Sequence, residues 1–408
     1  MLSLIKVLSD YTVMGLWSYL NFLYSLKNIF LVIDYEGYDR LSSLPDDLIH
    51  KILSFISIKH AIKMSVLSSR WRYIWTTLPY LNFSQQNLRT SYAPPKFVMD
   101  VLTHRNNLIG LSSITLSYGR FDWLSIEKNL SYALRYDVQQ LKLKSLYGHD
   151  ITGPDSLYKS QSLKHLTLYG IYWVPLLTPT SKWELLGLTT LHLMYVTLYN
   201  DNTDDKCIGL FSKCVNLKSL TLSHCTMRGS EGFRICHPRL SHLRIYDAKE
   251  KLFRGDQAVH ISKDTLHSLE NLDIGTLKAD ASKIFGLLQH LHGVKFLALN
   301  VELVEFLSAS MELISSPPSP FTNLKSLEFY EVFRPLEKPL STEIMKYFLD
   351  GSPSASFKLT TYEERLQRRR VRNHIDPPGT QTQHHIRIWS TKMKSSLKYL
   401  IEQVKAKF

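Results

Sequence analysis

The chain is 408 residues long, with 44% hydrophobic and 21% charged residues, which are globular proportions. Its 17 glycines and 16 prolines are too few for a collagen-like or low-complexity chain. Lys and Arg number 49 against 36 Asp and Glu, and the formal charge of +13 suits nucleic acid, an anionic membrane or an acidic protein without choosing among them.

Residues 11–33 read YTVMGLWSYLNFLYSLKNIFLVI, long enough for a bilayer span of about 20 residues. Asn21, Lys27 and Asn28 interrupt that run, and a lysine near the centre of a spanning helix costs roughly 3 kcal/mol. No small-residue cleavage site follows. Residues 1–38 are read as a hydrophobic N-terminal extension whose Leu16, Leu20, Leu23 and Phe30 can form one packing stripe. A membrane anchor there stays open and is not favoured.

Residues 39–83 change in texture. Pro45 suits the first turn of a helix, and Asp46 and Asp47 stand where the helix dipole favours negative charge. Leu48, Ile49, Ile52, Leu53 and Ile56 then make one apolar stripe. A short helix is expected around His60–Met64, and a third after Ser68, carrying Trp71, Ile74 and Trp75 on one side and Arg70 and Arg72 on another. Three short helices cannot bury so much apolar surface alone, so the rest of the chain or a partner must complete it. Residues 84–107 are read as a linker.

From residue 108 to 335 a unit L-x-x-L-x-L recurs about nine times. It runs from Leu111-Ile114-Leu116 through Leu217-Leu220-Leu222 to Leu324-Leu327-Phe329, with starts 23 to 30 residues apart. Alternation puts the leucines of each unit on one face of a short strand, and stacked units pair their strands in parallel over a continuous core. The four cysteines, Cys207, Cys214, Cys225 and Cys236, lack a C-x-x-C pair, so zinc is not expected even with His224 and His237 nearby. Cys225 falls where such repeats place Asn or Cys, and Cys214 precedes the same strand; both are expected inside. Tyr199–Lys206 and Ser315–Pro320 read as loops.

Residues 336–408 form a C-terminal region. A helix is expected around Glu343–Leu349 and a strand over Ser356–Thr361. A basic insert follows at 368–388, with Arg368-Arg369-Arg370, Arg372 and the pair His384-His385. Lys392–Lys405 then carries an apolar helical stripe of Met393, Leu397, Leu400, Ile401 and Val404. The arginine run reads as a solvated stretch rather than an import signal.

No G-x-S-x-G, H-E-x-x-H, G-x-x-x-x-G-K or G-x-G-x-x-G occurs. No catalytic residue, cofactor or metal site is expected. Residues flanking the inward leucines must face away from the core, on the concave side. Lys142, Lys144, His165, Tyr169, His192, Arg244 and Tyr246 make the early and middle part of that side basic and aromatic, while Asp273 and Glu328 bring acids to its end. These seven are the candidate target-binding residues, and their character suits an acidic or phosphorylated protein segment.

LSSLPDDLIHKILSFI followed by SVLSSRWRYIW closely resembles the F-box of plant F-box proteins: the Leu-Pro start, paired acids, L-I-x-x-I-L helix, V-L-S-x-R-W-R core and closing Trp come in order. His60 and Ser69 depart from it, where an acid and a lysine are common. The irregular leucine units are similar to the leucine-rich repeats of the same proteins, and STEIMKYFLDGSPSASFKLTTYEE resembles their terminal FBD region. The resemblance implies an α/β fold, a three-helix F-box followed by a leucine-rich-repeat solenoid with a curved parallel sheet and helices or loops on its convex side. It implies a non-catalytic adaptor of an SCF-type cullin–RING ubiquitin ligase. Leu44, Pro45, Leu48, Ile49, Ile52, Leu53, Val66, Leu67, Trp71 and Trp75 would build the module that docks on a Skp-family linker protein, itself joined to a cullin scaffold. The repeats would hold the target, in the nucleus or cytoplasm, without nucleic acid. Two other readings remain: a leucine-rich-repeat interaction protein outside any ligase, and a small-molecule co-receptor.

Overall fold

The structure, a computed structural model, describes residues 45–54, 56–66, 69–84, 94–118, 123–145, 155–170, 176–177, 183–199, 211–228, 234–247, 260–276, 281–310, 319–332, 340–361 and 363–364. The expectations for the N-terminal extension, Cys207, the basic insert and the Lys392–Lys405 stripe lie outside these residues.

The N-terminal helices are α1 (Asp46–Leu53), α2 (Ile58–Lys63) and α3 (Trp71–Ile74). The last two each run on into a 3-10 turn, to Val66 and to Thr77. The Pro45 carbonyl accepts from the Leu48 and Ile49 N–H groups, so α1 starts at the proline, as its fixed φ favours. An Arg70–Asp46 ion pair and a 2.8 Å hydrogen bond between His50 Nε2 and Thr77 Oγ1 tie α1 to the third helix.

Eleven strands form one sheet, every neighbouring pair parallel. They are β1 (Tyr80–Asn82), β2 (Ser113–Tyr118), β3 (Gln140–Ser145), β4 (His165–Tyr169), β6 (Thr190–Met194) and β8 (Ser219–Ser223). There follow β11 (His242–Asp247), β13 (Asn271–Thr276), β14 (Phe296–Asn300), β15 (Ser326–Tyr330) and β16 (Ser356–Thr360). Two small parallel sheets accompany it: β5 (Leu176–Leu177), β7 (Val196–Tyr199) and β9 (Thr226–Arg228); and β10 (Arg234–Ile235) with β12 (His260–Ile261).

Each of the nine L-x-x-L-x-L units supplies one strand, from β2 to β15. Their inward residues meet in register, Ile114 beside Leu141, Leu141 beside Leu166, and so on to Leu297 beside Leu327. Every inward residue of the nine units is 3% exposed or less. Two strands lie outside the repeat count. β1 comes straight out of the third helix and carries the core onward through Leu81 and Phe83. β16 pairs with β15, so the C-terminal helix–turn–strand continues the sheet.

Within the stretch read as a linker, Pro95–His104 form α4, which buries Phe97, Val98, Val101 and Leu102. Its apolar stripe is closed by Phe83, whose ring meets Phe97 edge-on at 6.2 Å. α5 (Trp123–Leu134) adds Ile126, Leu130 and Ala133 to the same core. Later come α6 (Asp155–Tyr158), α7 (Lys263–Ser268), α8 (Ala281–Leu288), α9 (Val301–Ala309) and α10 (Thr342–Leu349). Ser262 and Ser341 cap α7 and α10 by accepting from Thr265 and Ile344 N–H.

Cys225 is buried, its thiol 3.5 Å from the Leu193 carbonyl oxygen, so it caps the neighbouring unit. Cys214 is also buried, and burial pushes its thiol up to about 11. His237 is buried too, with Nε2 at 2.8 Å from the Cys214 carbonyl oxygen.

The end of the sheet differs from its middle. Phe357 and Leu359 of β16 occupy inward register positions beside Leu327 and Phe329, yet are 40% and 42% exposed. Leu327→Ala should therefore cost about 2–5 kcal/mol, as for other fully buried leucines. Phe357→Ala, one strand away, should cost less than half of that. Denaturant unfolding of the two variants checks the difference.

Candidate interaction surfaces

The helical module sorts its apolar residues by what covers them. Ile49, Leu53, Trp71 and Trp75 are buried and hold the three helices together. Pro45 is exposed and Leu48 half-buried at the start of α1, where an external partner can reach them. Ile52 lies on α1 and Val66 on the turn after α2, while Leu44 and Leu67 fall outside the described residues. The module is joined to the sheet without slack. Leu78 is buried between the third helix and β1, and the Thr76 carbonyl accepts from the Asn106 N–H at 2.9 Å.

The second surface is the face of the sheet opposite the core. Alternation delivers three rows of side chains there, and all seven candidate residues lie on them. The middle row reads Lys142, Thr167, His192, Thr221, Arg244 and Asp273 on six successive strands, about 4.8 Å apart. Lys144 and Tyr169 are neighbours two residues farther on, in the row that also holds Tyr246. His165 stands in the row on the other side.

Burial on this face, and after it the like charges on neighbouring strands, shifts the titration of its side chains. Burial, and then Lys144, bring the Lys142 ammonium down to about 8. Burial, and then Arg244, Lys142 and His165, hold His192 down to about 4. His165 is also lowered, by burial and Lys164, and burial raises Tyr169.

Asp273 ends the basic stretch. Its carboxylate accepts from Arg244 Nε at 2.8 Å, from the Tyr246 hydroxyl at 2.6 Å and from the Tyr330 hydroxyl at 2.9 Å. Gly275 makes room for this cluster, since a Cβ there would sit 2.7 Å from both the Tyr246 ring and the Tyr330 hydroxyl. Tyr246 is consequently only 9% exposed. It positions Asp273 more than it faces an incoming partner.

Sequence reasoning missed Tyr195 and weighed His224 only as a zinc ligand. Each follows a strand, each has φ of 52°, and their rings stack at 5.0 Å with an interplanar angle of 13°. Tyr169 meets Tyr195 edge-on at 5.9 Å. A left-handed backbone at a non-glycine residue costs about 1 kcal/mol, and no Gly or Asn marks these sites in the sequence. Their N–H groups continue the ladder, to Ser223 O at 2.9 Å and Tyr246 O at 2.7 Å. The face thus offers cations beside an aromatic shelf, which is chemistry for binding. Among the described residues, no helix is long and apolar enough to cross a membrane.

A family profile for the F-box domain matches residues 41–83. An F-box/LRR-repeat protein of Arabidopsis thaliana is 32% identical over 213 residues, covering 51% of this chain and 67% of its own. F-box/LRR-repeat protein 25 of the same plant is 31% identical over 190 residues, covering 46% and 68%. An Arabidopsis F-box/FBD/LRR-repeat protein is 28% identical over 212 residues, 51% of this chain and 47% of its own. The chain spans about half the length of such FBD relatives. Among solved structures, the leucine-rich repeat-containing protein LegL7 from Legionella pneumophila is similar at a TM-score of 0.30 and 13% identity, covering 74% of this chain and 92% of its own. That likeness is distant, and the fold rests on the strand register itself.

Two outcomes follow from the charges. Asp273→Ala leaves three donors without their acceptor and should destabilise the protein by about 1–3 kcal/mol, measured by denaturant unfolding. His192 is protonated more readily in the unfolded chain, at an ordinary value near 6.5, than in the folded one, near 4. Its contribution is therefore intact above the unfolded value and is lost as pH falls from there through the folded value. His192→Gln should show a smaller fall in Tm between about pH 7 and about pH 4.5 than the parent. Parallel profiles would contradict this placement of His192.

Proposed function

Because the chain belongs to the plant F-box/leucine-rich-repeat family, we propose that it is the target-recognition adaptor of an SCF-type cullin–RING ubiquitin ligase. The observation that carries this reading is the F-box match over 41–83 on helices joined directly to the repeat sheet. In this reading the exposed start of α1, with Pro45 and Leu48, belongs to the surface that docks on a Skp-family linker protein, and the linker brings the cullin. Ile49, Leu53, Trp71 and Trp75 keep that surface in shape from within. The open face of the sheet holds an acidic or phosphorylated target through Lys142, Lys144, His165, Tyr169 and His192. Arg244 contributes there while paired with Asp273.

The adaptor makes no bond itself. β1 joins the F-box to the sheet without a flexible hinge, so a captured target is held at a fixed place relative to the linker. That raises the effective concentration of a target lysine at the ubiquitin-charged enzyme.

Co-purification tests the assembly. The full chain should bring down linker and cullin together. Replacing Pro45 and Leu48 by Ala should weaken linker capture at least tenfold, since interface anchors are worth about 2 kcal/mol. Charge reversal at Lys142 and Lys144 should leave linker capture intact and abolish target capture. A folded Pro45/Leu48 variant that binds the linker normally would remove α1 from the docking surface. Absence of the cullin from the purified complex would favour an interaction protein outside a ligase.

A further inference from the structure

Lys142, His192 and Arg244 stand on alternate strands of one row, with the hydroxyls of Thr167 and Thr221 between them. Arg244 is answered by Asp273 at 2.8 Å. Lys142 and His192 have no hydrogen-bond or ion-pair partner among the described residues.

The groups around His192 explain why. On the same face, β4 presents His165 and Tyr169, β3 presents Lys142 and Lys144, and β11 presents His242, Arg244 and Tyr246. β8 presents only the hydroxyls of Ser219, Thr221 and Ser223. The nearest carboxylate along the row is Asp273, which three donors already occupy. One ammonium, one imidazole and two hydroxyls therefore follow one another along this row with no carboxylate among them. A lysine, a hydroxyl and an imidazole on three adjacent strands suit the divergent oxygens of a tetrahedral oxyanion better than a planar carboxylate, and the long lysine stem can lean across the intervening Thr167 strand.

We propose that Lys142, Thr167 and His192 form a seat for a doubly charged oxyanion, the phosphoryl group of a target side chain, and that seating it draws a proton onto His192. The proposal rests on the open face being the target surface. Burial and the surrounding cations keep the imidazole neutral at pH 7 in the free protein. An oxyanion at hydrogen-bond distance supplies the opposite charge that favours the imidazolium. Since the occupied state then takes up a proton that the free state does not, affinity for a dianion such as sulfate rises as pH falls through the occupied-state value and levels off near the free-state value of about 4.

The test is a histidine NMR titration of the full chain from about pH 8 to about pH 4. It is run in chloride, in sulfate at equal ionic strength, and with a phosphoserine peptide or its serine counterpart. Sulfate remains a dianion across the range, so its own titration does not enter. The His192 signal is the one missing in His192→Gln. Its midpoint should rise by a unit or more with sulfate and with the phosphopeptide. It should stay put in chloride and with the serine peptide. Lys142→Gln should remove most of the rise. An unchanged midpoint in sulfate, or a rise that survives Lys142→Gln, overturns the seat. A rise with sulfate and none with the phosphopeptide overturns its assignment to a target and gives the site to a free anion. Linker capture by the same samples shows that the variants fold and keeps the two readings apart. A protein that fails to capture the linker but shows the His192 shift loses the adaptor reading and keeps the seat.

Discussion

Everything in this molecule depends on the in-register stacking of the inward rows. A five- or six-residue strand with two or three leucines has no stability alone. Paired on both sides, its backbone groups are satisfied and its leucines touch those of the next unit. A slip of one residue would turn a strand's leucines to the opposite face, so burial fixes the register. The connections carry no such constraint. That is why unit starts 23 to 30 residues apart can feed one ladder, and why helices, small strands and turns all serve as returns.

The same alternation builds the open face. Once the leucines point inward, the residues between them must line up on the other side at the strand spacing, whatever their charge. Lys142, His192 and Arg244 are brought together by this rule rather than by attraction. Burial, and then the like charges beside them, bring the lysine down to about 8 and hold the histidine down to about 4. At one end Asp273 takes Arg244 and two tyrosine hydroxyls.

The two ends of the ladder are treated differently. At the first, β1 and α4 seal the sheet with Leu81, Phe83 and Phe97, so the F-box doubles as the cap of the solenoid. Its small core is completed by the rest of the chain, and among the described residues it leaves the start of α1 and Tyr73 of the third helix uncovered. At the other end, β16 presents Phe357 and Leu359 at inward positions with much of their surface exposed.

The amino-acid sequence by itself determined the repeats, the strand face of every leucine, and the helical module, because period-two and helical spacing are local properties. It also determined which face Lys142, His165, His192 and Arg244 must occupy. It did not reveal β1 or α4, since Tyr80–Asn82 and Pro95–His104 lack the repeat signature and take their places only because the first strand needs a cover. It did not separate Ile49, Leu53, Trp71 and Trp75 from Pro45 and Leu48, because one apolar stripe looks the same whether a neighbour covers it or a partner must. Nor did it show that Tyr246 turns onto Asp273 across a glycine, or that Tyr195 and His224 stack in left-handed backbone. Those pairs are 27 and 29 residues apart in the chain. Only the parallel register brings them together, and register is a property of the assembled sheet.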